Sequence, residues 1–155
     1  MILCGGPENE KDIIRGGSFM DIKIVYATKT KHSRKLAEAM GERLKVTPQN
    51  IKENTEPAAA GLLIIAGGIY GGQSLPELLA YVKKLDGAKV KSAALVTSCA
   101  SGKQGQASVR KILEEKGVKV VDEFICRGSF LFVSVKHPDS KDLKAAADFA
   151  EKVAL

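Results

Sequence analysis

Four short apolar runs, separated by amphipathic segments, constrain the fold of this chain more than any other feature. The runs are Ile22 to Ala27, Leu62 to Ala66, Ser92 to Thr97 and Val118 to Ile125. They are rich in β-branched residues and lack strict polar alternation, as expected of strands that are covered on both faces. A weaker candidate strand, Gln49 to Lys52, follows a proline and is expected at or near an edge of the sheet.

The segments between and after these strands have apolar residues at helical spacing. Pro76 suits the first turn of the second helix, Gly117 suits the end of the third, and Asp139 or Ser140 can cap the last. The apolar positions of the four helices are Leu36, Ala37, Met40 and Leu44; Leu78, Leu79, Val82 and Leu85; Val109, Ile112 and Leu113; and Leu143, Ala147, Ala150 and Val153. This alternation predicts an α/β fold, a parallel sheet with helices on both faces.

The loops that follow the strands gather at one edge of such a sheet, because the crossover connections are right-handed. Ligands bind at the carboxyl ends of the strands, near the point where the strand order reverses. The loops that matter for function are therefore 28–33, 67–75 and 98–106.

The loop after the first strand combines hydroxyl and basic side chains. It consists of Thr28, Lys29, Thr30, Lys31, His32 and Ser33, and a helical pattern then runs from Arg34 to Val46. Unpaired N–H groups at a helix start and the helix dipole attract anions, and hydroxyl groups add donors. We therefore predict a phosphate site here. The alternative is that Thr30 or Ser33 is simply a helix N-cap.

The loop after the third strand places one aromatic ring among glycines. Its candidate ligand-binding residues are Gly68, Ile69, Tyr70, Gly71 and Gly72. Glycine lets the backbone approach a ligand closely or take a positive φ, and Tyr70 offers a surface for a flat ring. The alternative is a glycine-rich turn in which Tyr70 packs on its own domain.

The loop after the fourth strand contains small residues whose backbone groups suit hydrogen bonds to the edge of a heterocycle. The candidates are Ser98, Cys99, Ala100 and Gly102. The Gly102-Lys103 pair does not form a nucleotide-triphosphate loop, because Thr97 and Gln104 stand where that motif needs glycine and Ser or Thr. Cys99 is expected to be a small spacer rather than a reactive thiol.

The sequence supports no catalytic pair and no metal-ligand spacing. His32 and His137 have no partner arrangement typical of catalysis. The three cysteines, Cys4, Cys99 and Cys126, lack a CxxC spacing and a neighbouring histidine, which argues against a zinc site or a disulfide framework. A cytoplasmic protein with free thiols is predicted, with Cys126 in the core. Any redox chemistry must then come from a bound cofactor.

The composition fits one globular domain, with 155 residues, 45% of them hydrophobic and 27% charged. No transmembrane segment or signal peptide is predicted. The formal net charge of +6 raises the alternative of nucleic-acid binding, but the basic residues are spread over the helices and aromatic residues make up only 5% of the chain. We interpret the charge as a solvated basic surface, with no nucleic-acid partner.

Residues 1–19 have no sustained hydrophobic period and are expected to be a flexible extension of a domain that spans residues 20–155. Arg15-Gly16-Gly17 would be encoded by purine-rich codons, as a bacterial ribosome-binding site would be if it were translated, and these codons lie a few residues before Met20. Met20 is therefore the predicted natural start. A flexible native extension is the alternative.

Residues 21–154 resemble the flavodoxin family. Thr28-Lys29-Thr30-Lys31-His32-Ser33 matches the hydroxyl positions of the family's phosphate loop, T-x-T-G-x-T or S, and Leu62 to Gly72 looks like its third strand and first flavin loop. Residues 98–106 fall where the second flavin loop lies. The resemblance implies a flavodoxin-like three-layer sandwich with a five-stranded parallel sheet in the order 2-1-3-4-5, FMN as cofactor, and electron transfer.

Three features of the sequence depart from the family pattern. Lys31 stands where the phosphate loop has glycine, and a positive φ there would cost roughly 1 kcal/mol or more, which pairing with a phosphate can offset. Residues 98–106 contain no aromatic ring, so weaker FMN binding is expected. The chain is basic, whereas electron-carrying flavodoxins are typically acidic, so a different partner surface is expected.

The leading hypothesis is an FMN-binding, flavodoxin-like electron-transfer protein with a redox partner protein. Residues 28–33 would hold the phosphate, Tyr70 would cover one face of the flavin, and backbone groups of 68–72 and 98–102 would contact the ring. One alternative is an FMN-dependent oxidoreductase that acts on a quinone or a porphyrinogen, of the protoporphyrinogen oxidase type. A second alternative is a binding module of the same fold that has lost FMN.

Overall fold

A computed structural model describes residues 21–29, 31–52, 55–99, 105–127 and 139–155. Within these ranges the strands are β1 (Ile22–Ala27), β2 (Gln49–Asn50), β3 (Ala60–Tyr70), β4 (Gln73–Ser74), β5 (Val90–Cys99) and β6 (Lys119–Arg127). The helices are α1 (His32–Leu44), α2 (Pro76–Lys84), α3 (Ala107–Glu115) and α4 (Ser140–Ala154). The predicted extension 1–19 and His137 lie outside the described residues.

Five of the strands form a parallel sheet in the order β2-β1-β3-β5-β6. Counted without β4, this is the predicted order 2-1-3-4-5, so the predicted α/β fold class is confirmed. β1 has β2 on one side and β3 on the other, and the strand order therefore reverses beside β1. The carboxyl ends of β1 and β3 flank the position where such sheets bind ligands.

The short strand β4 is not predicted from the sequence, and it corrects the expected loop 67–75. β3 continues to Tyr70, and β4 pairs with its end in antiparallel fashion, with Ile69 opposite Ser74. The turn of this hairpin is Gly71-Gly72, with φ values of 60° and 82°. Two residues with positive φ match the twist of a hairpin, which is why glycine occupies both positions.

Apolar side chains cover both faces of the sheet. Leu63 and Ile65 of β3 belong to a cluster with side chains of α2 and α3, whereas Leu62 and Ile64 belong to a cluster with side chains of α1 and α4. Each strand at the centre of the sheet is therefore buried on both faces. This arrangement explains why the apolar runs lack polar alternation.

The helix ends agree with most of the predicted signals. α2 begins at Pro76, and Gly117 follows α3 with a φ of 80°. Asp139 caps α4, since the Asp142 N–H donates to the Asp139 carboxylate at 3.0 Å and the Asp139 N–H donates to the Asp142 carboxylate at 2.8 Å. α1 begins two residues before the predicted range 34–46 and ends two residues before its end. It ends at Leu44 because Lys45 takes a left-handed conformation that terminates the helix.

Candidate functional site

Three chain segments meet at the carboxyl edge of the sheet, around the end of β3. The Lys29 N–H, after β1, donates to the Tyr70 hydroxyl at 3.1 Å. Ser98, near the end of β5, lies opposite Gly68 of β3. Described residues of all three predicted segments are therefore neighbours. Three residues of the predicted site lie outside the described residues: Thr30, Ala100 and Gly102.

The turn between β1 and α1 is closed by its own threonine. The Lys31 N–H donates to Thr28 Oγ1 at 2.8 Å. Lys31 is the N-cap residue of α1, with φ 71° and ψ 0°, and its side chain makes no capping hydrogen bond. Ser33 is the second residue of the helix, so the alternative of Ser33 as N-cap is wrong. The helix therefore begins without the side-chain cap that usually satisfies its first N–H groups.

Ser33 is the strongest indication of a ligand at the start of α1. Its exposed fraction is 0%, and its Oγ has no hydrogen-bond partner among the described residues. A buried hydroxyl group without a partner costs about 1–3 kcal/mol, which a ligand with acceptor atoms would remove. A phosphate group has the matching chemistry, because it can accept hydrogen bonds from a hydroxyl group and from the N–H groups of a helix start together.

Positive charge surrounds the same helix start. Lys29, Lys31 and Lys35 are exposed, and the first turn of α1 contains no acidic residue. The pKa of His32 is lowered, first by burial and then by the charge of Lys35. Arg34 is paired with Glu38 at 2.9 Å. The basic side chains and the helix dipole together favour an anion at this position.

We expect His32 to make the protein less stable at mildly acidic pH. Its pKa in the folded protein lies below the ordinary value of 6.5, so the unfolded chain binds a proton more readily. The free energy of unfolding should therefore fall as the pH drops from 6.5 toward the folded pKa. Urea unfolding at about pH 7.5 and about pH 5.5 should show a larger loss for the wild type than for His32→Gln. Equal losses in the two proteins would contradict this role.

Tyr70 packs on its own domain instead of standing alone in a loop. Its phenol ring lies across Gly68, where a Cβ atom would come within 2.6 Å of the tyrosine oxygen. Lys29 Nζ lies 5.6 Å from the ring centre, a distance compatible with a cation–π contact. The ring can adopt this position only because residue 68 has no side chain. Tyr70 thus ties the end of β3 to the turn after β1.

The remaining residues of the predicted second segment lie in the β3–β4 hairpin. Ile69 is half-buried in β3, while Gly71 and Gly72 form the exposed turn. No atom lies within 4 Å of the place that a Cβ on Gly71 would take. The hairpin therefore presents open backbone next to Tyr70.

Ser98 and Cys99 are buried strand residues, which corrects the prediction that they belong to a loop. β5 continues to Cys99 because it pairs with β6 as far as this residue. Cys99 and Cys126 are buried thiols that do not form a disulfide. Burial is the main cause that raises the pKa of Cys126 to about 12, so this thiol is unreactive near neutral pH. The prediction that Cys126 lies in the core is confirmed.

Three polar residues next to this edge are not predicted from the sequence pattern. Gln106 is fully buried just before α3, and its N–H donates to the Glu123 carboxylate at 2.9 Å. Arg110 pairs with the same carboxylate at 2.9 Å. The one local signal is that Asp122 and Glu123 interrupt the apolar run 118–125.

Two further findings concern the described part of the chain. It contains no group of three or more His, Cys, Asp or Glu side chains that could hold a metal ion. None of its helices combines the length and the apolar character needed to cross a membrane.

No protein-family model matches the chain, and the comparison with curated proteins gives no match. Solved structures do match. A flavodoxin from Streptococcus pneumonia TIGR4 has a TM-score of 0.63 and 18% identity, over 86% of this chain and 97% of that chain. A short-chain flavodoxin associated with a PDU bacterial microcompartment has a TM-score of 0.66 and 18% identity, over 88% of this chain and 100% of that chain.

A third solved structure carries a name that denotes an enzyme. It is an NAD(P)H:quinone oxidoreductase from Methanothermobacter marburgensis, with a TM-score of 0.57 and 12% identity, over 88% of this chain and 96% of that chain. At identities this low, the likeness to these proteins establishes the fold alone.

Proposed function

We propose, from the flavodoxin-like fold that this chain adopts, that the protein binds FMN and transfers electrons. The observation that carries the proposal is the fully buried Ser33 hydroxyl, which lacks a partner among the described residues, at the uncapped start of α1. This start follows β1, at the reversal of strand order where doubly wound sheets bind nucleotides.

The phosphate would be held by backbone N–H and hydroxyl groups of residues 28–33, with Lys29 and Lys31 adding positive charge. Lys31 has a φ of 71°, which an L-residue adopts only at a cost of about 1–2 kcal/mol. An ion pair between Lys31 and a phosphate would offset that cost. The bound FMN would supply the redox chemistry that side chains lack.

The flavin ring would lie at the end of β3. Tyr70 would cover one face of the ring, and backbone groups of residues 68–72 together with Ser98 and Cys99 would contact its edge. The sequence of residues 98–106 contains no aromatic side chain to cover the other face. A small substrate could therefore approach the flavin from that side.

Replacing Lys31 with glycine separates backbone strain from phosphate binding. We expect Lys31→Gly to raise the free energy of unfolding by about 1 kcal/mol, because glycine adopts a positive φ freely. The variant should also bind FMN more weakly and with a smaller dependence on salt, because one positive charge near the phosphate is lost. Urea unfolding and FMN titrations at two salt concentrations measure these effects.

Lys45 provides the matched control, since it is a second lysine with positive φ, 60°, at the opposite end of α1. Lys45→Gly should raise stability by a similar amount and leave FMN binding unchanged. If FMN affinity rises in Lys31→Gly, the lysine obstructs the phosphate and the proposed ion pair is wrong.

Flavin content and titration test the proposal as a whole. The purified protein should be yellow and release FMN on denaturation, or the flavin-free protein should bind FMN in a saturable titration. A colourless protein without saturable FMN binding would contradict FMN binding and support the alternative of a binding module that has lost the cofactor.

The lack of an aromatic residue in 98–106 favours a second candidate, an FMN-dependent oxidoreductase acting on a quinone or a porphyrinogen. Turnover assays with quinones and porphyrinogens distinguish it from an electron carrier. Electron exchange with partner proteins, without turnover of small molecules, is the result expected of the carrier. Multiple turnover of a quinone or a porphyrinogen would establish the enzyme instead.

A further inference from the structure

The Gln106 side chain joins two neighbouring strands just before they reach the candidate site. Its Nε2 donates to the Val96 carbonyl at 2.9 Å, to Thr97 Oγ1 at 3.2 Å and to the Ile65 carbonyl at 3.3 Å. Ile65 belongs to β3 and Val96 to β5. Residues 68–72 of the first segment and Ser98 and Cys99 of the second follow shortly after, and these are the residues proposed above to contact the flavin ring.

The main chain at the same position is also held in place. The Gln106 N–H donates to Glu123 at 2.9 Å, and the Glu123 carboxylate accepts a second hydrogen bond from Arg110 at 2.9 Å. A side chain on Gly105 would overlap the Glu123 carboxylate. Glu123 therefore fixes the point at which the chain enters α3.

The buried side-chain amide of Gln106 is only partly paired. Gln106 has an exposed fraction of 0%, and its Oε1 has no hydrogen-bond partner among the described residues. A buried amide oxygen without a partner costs free energy, so it offsets part of the stabilisation that the hydrogen bonds of Nε2 provide. A residue that departs from the rule for buried positions is often kept for a functional reason.

We propose that Gln106 is a positioning residue for the flavin-ring end of the site, an inference that rests on the proposed FMN binding. Its side chain bonds to both β3 and β5 just before the carboxyl ends of these strands, where residues 67–72 and 98–99 lie. None of its described hydrogen bonds involves residues 28–33. Gln106 thus acts on the ring end and not on the phosphate end.

The variant Gln106→Leu tests this assignment with two ligands. FMN and riboflavin share the same ring, but riboflavin lacks the phosphate. The dissociation constants of both should rise by a similar factor, about tenfold, in Gln106→Leu. In the flavin-free protein, the backbone amides of residues 67–72 and 105–107 should exchange hydrogen faster than in the wild type. The amides of α1 should exchange at the wild-type rate, which separates a local loss of positioning from a loss of stability throughout the fold.

Two further variants complete the experiment. Glu123→Gln weakens the hydrogen bond that the Gln106 N–H donates to residue 123, and it should therefore raise the dissociation constants of both FMN and riboflavin. This variant provides the test if Gln106→Leu does not fold. Glu114→Gln is the matched control. Glu114 also faces Arg110, at 3.7 Å, but its side chain is 58% exposed and makes no described contact with Gln106, so flavin binding should not change.

The possible outcomes separate this inference from the proposed function. If the wild type binds FMN and riboflavin, and Gln106→Leu binds each of them as tightly as the wild type does, the positioning role is wrong and the FMN proposal stands. A loss confined to FMN would also overturn the role, because it would place the effect at the phosphate end. If the wild type binds no flavin, both the function and the inference are overturned.

Discussion

Replacing Ser33 with alanine is expected to weaken FMN binding about 10- to 100-fold, because a hydrogen bond to a charged group contributes about 1.5–3 kcal/mol. The Ser33 hydroxyl is fully buried and has no partner among the described residues, so its removal breaks no described bond within the protein. Riboflavin should bind the variant and the wild type equally. Titrations that follow the quenching of flavin fluorescence measure both affinities.

Ser74 provides the matched control for this substitution. It is also a buried serine whose Oγ lacks a partner among the described residues, but it lies in β4 before α2 and not in the turn between β1 and α1. Ser74→Ala should not lower the affinity for FMN relative to the affinity for riboflavin. Unchanged FMN affinity in Ser33→Ala, or an equal and selective loss of FMN affinity in both variants, would contradict a phosphate contact specific to Ser33.

Replacing Ile64 with alanine should have the largest effect on stability, lowering the free energy of unfolding by about 2–5 kcal/mol. Ile64 has no exposed area and lies in β3, the central strand of the parallel sheet. It belongs to the core cluster that contains Leu36 and Met40 of α1 and Phe149 of α4. The shortened side chain would leave a cavity between the sheet and these helices. Urea unfolding measures the loss.

Val121→Ala is the control, because Val121 is 40% exposed in β6. It is the extra residue of an irregularity in the β5–β6 pairing, where Ala93 lies opposite Val120 and Ala94 opposite Asp122. Its replacement should change the free energy of unfolding by less than about 1 kcal/mol. If Ile64→Ala loses no more stability than Val121→Ala, the expected contribution of Ile64 to the core is wrong.

The parallel sheet could be predicted because its strands are buried on both faces and therefore appear as continuous apolar runs. Strand ends could not be predicted in the same way. β3 and β5 continue through Gly67, Gly68 and Ser98, which have little β-propensity but pair with neighbouring strands. β4 contains only Gln73 and Ser74, too few residues for a hydrophobic period.

The candidate site was harder to predict where it depends on contacts between distant residues. The Lys29 N–H contacts a tyrosine hydroxyl 41 residues away, and this contact ties the Tyr70 ring to the turn after β1. Gln106 likewise bonds to Ile65, 41 residues away. Local sequence patterns do not predict contacts between residues this far apart in the chain. The sequence did identify Lys31 as the residue whose backbone conformation matters, and its positive φ is the conformation that favours glycine.

Backbone amide chemical shifts during parallel titrations with FMN and riboflavin test most directly whether the start of α1 holds the FMN phosphate. The account predicts that the amides of Ser33 and Arg34 shift strongly and saturably with FMN and much less with riboflavin. It also predicts that the amides of residues 68–72 respond to both ligands. If the Ser33 and Arg34 amides do not move while FMN saturates its site, the phosphate lies elsewhere and the account is wrong.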